Sequence, residues 1–331
     1  MRKGYVRIIV LILVAGFISE CVGWNPQHGV VCATAMARAV DTPIIDAHSQ
    51  VPFGHEKLDK VIRLMDQGGV ARTILSSKGP LTAKQLVSFA SRYPGRILPA
   101  VRTKHRFYRE NDERFDKFLK KQVNMPQFGA MAEVLMYHAQ KGLRRVRAPQ
   151  VIVYPDDERV RVALKYAMQK KWPFVVHIEF RRARPLRDEF MEKFEALLIR
   201  YRKHPFVLMH MGQLDHADVR KLIEAHENIS FITAHSTSIE ASPIAVVKES
   251  EDPRTNMFDG DHLSAGWKQL MVEYPDRFIL GFDNVWPEHW GQYYLEQIRL
   301  WRGAIKELPP EVAHAFTHGN AERMWHLSPL K

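Results

Sequence analysis

From residue 43 onward the chain alternates short β-rich runs with longer amphipathic segments, and this alternation narrows the fold more than any other property of the sequence. The runs span residues 43–49, 70–77, 96–102, 128–135, 173–179, 206–211, 229–235 and 277–283. Between them, segments such as 56–68, 156–171, 188–203 and 288–305 repeat apolar residues at helical spacing. Pro155-Asp156-Asp157-Glu158 supplies a helix start with acidic residues where the first free N–H groups lie. Strands separated by helices pair in parallel, and eight of them are enough to close a sheet on itself. The expected fold is an α/β, (β/α)8 TIM barrel over residues 40–331. No internal repeat, low-complexity tract or linker divides it, and the polar stretch 236–262 reads as a loop crossing the barrel mouth.

Such a barrel needs about 250 residues, so a chain of 331 has room for a leader and little else. Arg2, Lys3 and Arg7 precede an apolar run over residues 8–18, too short for the roughly 20 residues of a membrane span. That pattern fits a signal peptide over residues 1–39, with small-residue cleavage points between Ala33 and Ala39. The expectation is an exported, periplasmic or secreted protein without stable membrane insertion after cleavage. An uncleaved leader acting as an anchor is the alternative. Both cysteines, Cys21 and Cys32, fall inside this segment, so neither a disulfide framework nor a thiolate cluster is expected in the remainder. The leader holds a net +3 of the formal +11, and the rest of the chain keeps +8.

Several runs begin apolar and end in an ionisable residue. Residues 174–176 lead to His177, 206–209 to His210, and 279–282 to Asp283; the fourth run passes through Ala132 to Glu133. The first run ends Ile44-Ile45-Asp46-Ala47-His48-Ser49-Gln50, and strand alternation puts Asp46, His48 and Gln50 on one face, with His177 and Glu179 likewise paired. In a parallel barrel all C-terminal strand ends converge on the face where active sites are built. Imidazoles and carboxylates from several strands would meet there, and both are ordinary ligands for zinc and related divalent ions.

These residues carry a resemblance to the amidohydrolase superfamily, within it the amidohydrolase-related branch of metal-dependent hydrolases and decarboxylases. Ile45-Asp46-Ala47-His48, Glu133, His177, His210, Asp283 and the closing Gly319-Asn320-Ala321-Glu322-Arg323-Met324-Trp325 match in order, over about residues 43–327. The resemblance implies one divalent metal ion, zinc before manganese, with His48, His177, Asp283, Glu133 and Gln50 as the ligand candidates. Gln50 stands where the family usually has a second histidine, and a Gln amide offers only a carbonyl oxygen. By the same resemblance the ion would acidify a water and polarise a carbonyl. Asp283 would be the general base, and His210 an oxyanion donor or a further ligand. His235 has no counterpart role and is either structural or substrate-facing.

Basic residues follow two of the runs. Arg102, Lys104, His105 and Arg106 come after the third; Arg181, Arg182 and Arg184 come after the fifth. Arginine forks bind carboxylates in two-point fashion, so Arg102, Arg181 and Arg182 are candidate contacts for a small anionic substrate. Trp286, just past Asp283, is a candidate pocket wall, while Trp290, Tyr293 and Tyr294 read as packing for the last helix. The basic segment 141–147 has no interleaved aromatic residues, which disfavours nucleic acid as a partner. The leading expectation is hydrolysis of a C–O or C–N bond in a small carboxylated compound. A non-oxidative decarboxylase and a metal-free ligand-binding barrel are the alternatives.

Overall fold

The computed structural model describes residues 42–141, 148–237, 239 and 254–330. The signal-peptide expectation, residues 142–147 and most of the 236–262 loop lie outside the described residues. Among those described, no helix is long and apolar enough to cross a membrane.

The described residues from 42 onward form one α/β unit whose parallel strands curl into a half-barrel. The strands are β1 (Ile44–Val51), β2 (Val70–Ser77), β3 (Ile97–Val101), β4 (Ala130–Met131), β5 (Val134–His138), β6 (Val151–Ile152), β7 (Phe174–Ile178), β8 (Phe206–Met209), β9 (Ile229–Ile232), β10 (Phe258–Asp259), β11 (His262–Leu263) and β12 (Phe278–Ile279). One sheet runs β1-β2-β3-β4 and a second β12-β9-β8-β7-β5-β6, both parallel except at the β5–β6 edge, and β10 and β11 form a separate antiparallel pair. The fourth run is thus split: β4 pairs with β3, and β5 pairs with β7. Glu133 sits between the two pieces. At the other seam, backbone bonds join the first and last runs: Ala47 N–H to Leu280 O (3.0 Å), Asp283 N–H to His48 O (2.7 Å) and Gln50 N–H to Asn284 O (2.8 Å).

All eight runs feed one interior cluster, which includes Ile45, Ala47, Ile74, Ala100, Ala130, Ala132, Val175, Val207, Ile232 and Ile279. The helix Asn320–Trp325 covers one end of it with Ala321, Met324 and Trp325. A second and larger cluster packs the outer strand faces against the surrounding helices, with Phe174, Phe194, Phe206 and Phe231 fully buried. The helices begin where their caps dictate: Asp157 accepts from Arg159 N–H ahead of Glu158–Lys170, and Asp215 accepts from two N–H groups ahead of His216–Ala225.

Strand alternation fails at one informative place. Ile45 and Ala47 point into the interior, so an unbroken β1 would turn His48 away from it. The β1–β2 register shifts between Asp46 and Ser49, and this bulge changes the face. His48 and Gln50 therefore point inward, whereas Asp46 does not share their face as simple alternation implies. The Asp46 carboxylate instead staples the bulge, accepting from Ser49 Oγ (2.6 Å), Phe282 N–H (3.0 Å) and His48 N–H (3.3 Å). Full burial pushes its carboxyl up to about 7, against those hydrogen bonds. Asp46→Ala would leave the Phe282 N–H buried without a partner and take away the acceptor of the Ser49 hydroxyl proton, a loss of about 2–4 kcal/mol. A lowered urea midpoint with unchanged m-value is the expected result.

Candidate metal centre and active site

The inward side chains at the strand ends form one buried polar cluster. Glu133, with no exposed surface, lies at its centre. Its Oε2 meets His177 Nδ1 at 2.7 Å; its Oε1 accepts from Gln50 Nε2 at 3.0 Å and pairs with the Lys104 ammonium. His48 Nε2 lies 3.5 Å from Glu133 Oε1 and 3.6 Å from Asp283 Oδ1. Asp283 Oδ2 in turn faces His210 Nε2 at 3.3 Å and His235 Nε2 at 3.5 Å. The other nitrogen of His177 lies 3.2 Å from Glu179 Oε1, and Glu179 pairs with Lys141.

Three of these residues reach the cluster through unusual backbone. His210, His235 and Asp283, at the ends of the sixth, seventh and eighth runs, have φ of 55°, 50° and 49°. For a residue with a Cβ, that left-handed conformation costs about 1–2 kcal/mol. It turns each side chain back over the strand ends. His210 is held there by its Nδ1–H, which donates to Ala234 O (2.8 Å), and Asp283 by its N–H on His48 O.

The charge states follow from burial and neighbours. Burial opposes the imidazolium of His177, but carboxylates at both ring nitrogens raise it to about 9. Glu133 and Glu179 are held well below the usual carboxylate range despite desolvation: Lys104 and His177 act on the first, His177 and Lys141 on the second. Asp283 stays ionised despite burial and nearby Glu133, through His210 and His235. Burial lowers His210. The Nδ1–H of His210 is spent on Ala234 O, so only a proton or a cation on the Nε2 side can join the ring to Asp283 Oδ2 across the 3.3 Å between them.

The donor chemistry therefore fits a divalent ion. Two groups of side chains bring ligand atoms close enough to hold one: His48–Glu133–Asp283 and Glu133–His177–His210, buried except for the slightly exposed His210. A third, His138–His177–Glu179, shares His177. Whichever nitrogen of His177 serves as ligand, a carboxylate accepts at the other and fixes the tautomer.

The remaining expected residues lie apart from the cluster. The Arg102 side chain is turned onto backbone, donating to Lys104 O and Gly79 O (both 3.0 Å). Arg181 and Arg182 are exposed. Trp286 is half-buried beneath Lys78, whose Nζ lies 3.3 Å from the ring centroid. Four contributors stood out less in the sequence. Lys104 appears there only as one of several loop cations, and Lys141 as the edge of a basic segment. His138 ends β5, three residues beyond the expected end of the fourth run. Tyr293, expected as packing, has its hydroxyl 3.1 Å from His235 Nδ1.

The chain matches the amidohydrolase family model over residues 38–327 and belongs to that family. Members are usually metal-dependent. Among solved structures it is similar to an uncharacterized TIM-barrel protein from Bordetella bronchiseptica, with 12% identity and a TM-score of 0.54 over 86% of this chain and 99% of that one. It is also similar to an amidohydrolase from Burkholderia multivorans with bound zinc, with 15% identity, a TM-score of 0.51 and the same coverage. No curated protein matches the sequence.

The His177 shift sets the direction of a pH effect. Below about 9 a metal must displace a proton from this imidazole, and above that value it need not. Zinc affinity should therefore rise about tenfold per pH unit for each displaced proton. Chelator competition at pH 7 and pH 8.5 measures it; a flat profile would remove His177 from the ligand set.

Proposed function

We propose that this protein is a metal-dependent hydrolase of the amidohydrolase family, built on a complete (β/α)8 barrel, that cleaves a C–O or C–N bond in a small carboxylated compound. The observation that carries this reading is the ionised Asp283 carboxylate, buried and clamped by His210 and His235 beside two candidate ligand sets. The residues that would hold the ion lie in two sets that share Glu133: His48–Glu133–Asp283 and Glu133–His177–His210. Zinc is the first choice for a donor set of imidazole and carboxylate. When bound, the ion supplies a Lewis acid that acidifies water and polarises a carbonyl.

The chain's own residues do the rest. Asp283 is the general base: it takes the proton of the attacking water at a carboxylate oxygen and returns it to the leaving oxygen or nitrogen. His235 keeps that carboxylate oriented. Its Nδ1 accepts from the Tyr293 hydroxyl, which leaves Nε2–H to donate to Asp283 Oδ2. Burial of the cluster keeps bulk water from competing for these contacts.

The anionic substrate rests on the positive residues around this face, Arg181 and Arg182 among them. Arg102 is assigned to holding its loop, because its guanidinium is engaged with backbone carbonyls. Export rests on the basic and apolar pattern of residues 1–18.

A panel of small lactones, esters and amides bearing a carboxylate, assayed with zinc-loaded protein, tests the reaction class. Release of carbon dioxide from unsaturated acids, without hydrolysis of any panel member, would replace hydrolysis by decarboxylation. On a substrate so found, Asp283→Asn should lower kcat by about 10²–10⁴-fold. The double change Arg181→Ala and Arg182→Ala should raise KM for the carboxylated substrate about tenfold and leave a neutral analogue unaffected. An unchanged KM would remove these arginines from substrate recognition.

A further inference from the structure

The two oxygens of Glu133 face different neighbours. On Oε2 the neighbour is His177 Nδ1 at 2.7 Å, itself a member of a candidate ligand set. On Oε1 there are two tethered side chains, the Lys104 ammonium and the Gln50 amide. Gln50 Nε2 also lies 3.4 Å from Asp283 Oδ1 and 3.3 Å from His48 Nε2. It thus touches one atom of each member of the His48–Glu133–Asp283 set. The amide must face that way round, because its carbonyl oxygen would otherwise meet two carboxylates. A metal entering this position has to expel groups whose tether keeps them at high effective concentration. Among the described residues, no side-chain amide or ammonium bonds to His177 or His210, and Glu133 Oε2 faces only His177.

We propose that Gln50 and Lys104 together take the place of a cation among His48, Glu133 and Asp283, so that the protein holds a single divalent ion, at Glu133–His177–His210. This rests on the metal-dependent reading above and narrows it. It also gives the Gln50 departure a physical role: it supplies hydrogen-bond donors where the family's usual histidine would supply a ligand.

The test is metal content by elemental analysis after zinc saturation and gel filtration, with each variant's fold followed by circular dichroism and Tm. The wild-type chain should retain about one zinc, and the double variant Gln50→His with Lys104→Met about two. His210→Ala should lose the wild-type ion, and His48→Ala should keep it. Two zincs in the wild type, one in the folded double variant, or loss from folded His48→Ala would each overturn the proposal and leave metal dependence standing. A wild-type chain that takes up no zinc would overturn both. Should the double variant fail to fold, Gln50→His alone, titrated against a chelator, should show a second and weaker zinc. A single-site isotherm there overturns the proposal.

Discussion

The Glu133 carboxylate is the constraint on which the arrangement around it depends. A fully buried negative charge is costly unless charges and donors surround it, and the chain supplies them from three different strand ends. Gln50 comes from the first run, Lys104 from the loop after the third, and His177 from the fifth. Compensating this one group draws together segments far apart in sequence. The break between β4 and β5 is its backbone counterpart, since Glu133 interrupts its own strand to turn inward.

The order of strands and helices was legible in the sequence because burial of parallel strands leaves near-continuous apolar runs. The ends of those runs were less so. The fourth continues to His138, and the last pairs as a strand only over Phe278–Ile279, although its backbone bonds reach Asn284. In the site, the types and positions of His48, Glu133, His177, His210 and Asp283 could be read because each ends or interrupts an apolar run. Their pairing could not. The bulge at residues 46–49 has no glycine or proline to announce it, so parity alone placed Asp46 with His48. The arginines drew attention as anion binders, yet Lys104 is the cation that meets the central carboxylate. Sequence shows that a loop is basic; it does not show which of its long side chains turns inward.

Family membership and likeness at 12–15% identity to solved structures fix the scaffold. They leave the chemistry to the particular side chains at the strand ends, as is general for folds that host many reactions. Here the departure at Gln50 matters more than the matching positions, because an amide nitrogen with two hydrogens is complementary to carboxylates and an imidazole lone pair is complementary to a cation.

The left-handed backbone at His210, His235 and Asp283 has a bearing on how such a chain can change over time. Glycine would occupy each of these conformations without steric cost, so each side chain is kept against a backbone strain of about 1–2 kcal/mol. Relief of that strain alone would favour glycine at these three positions. Their persistence in a lineage would therefore be a record of selection on what the side chains do, separable from selection on folding.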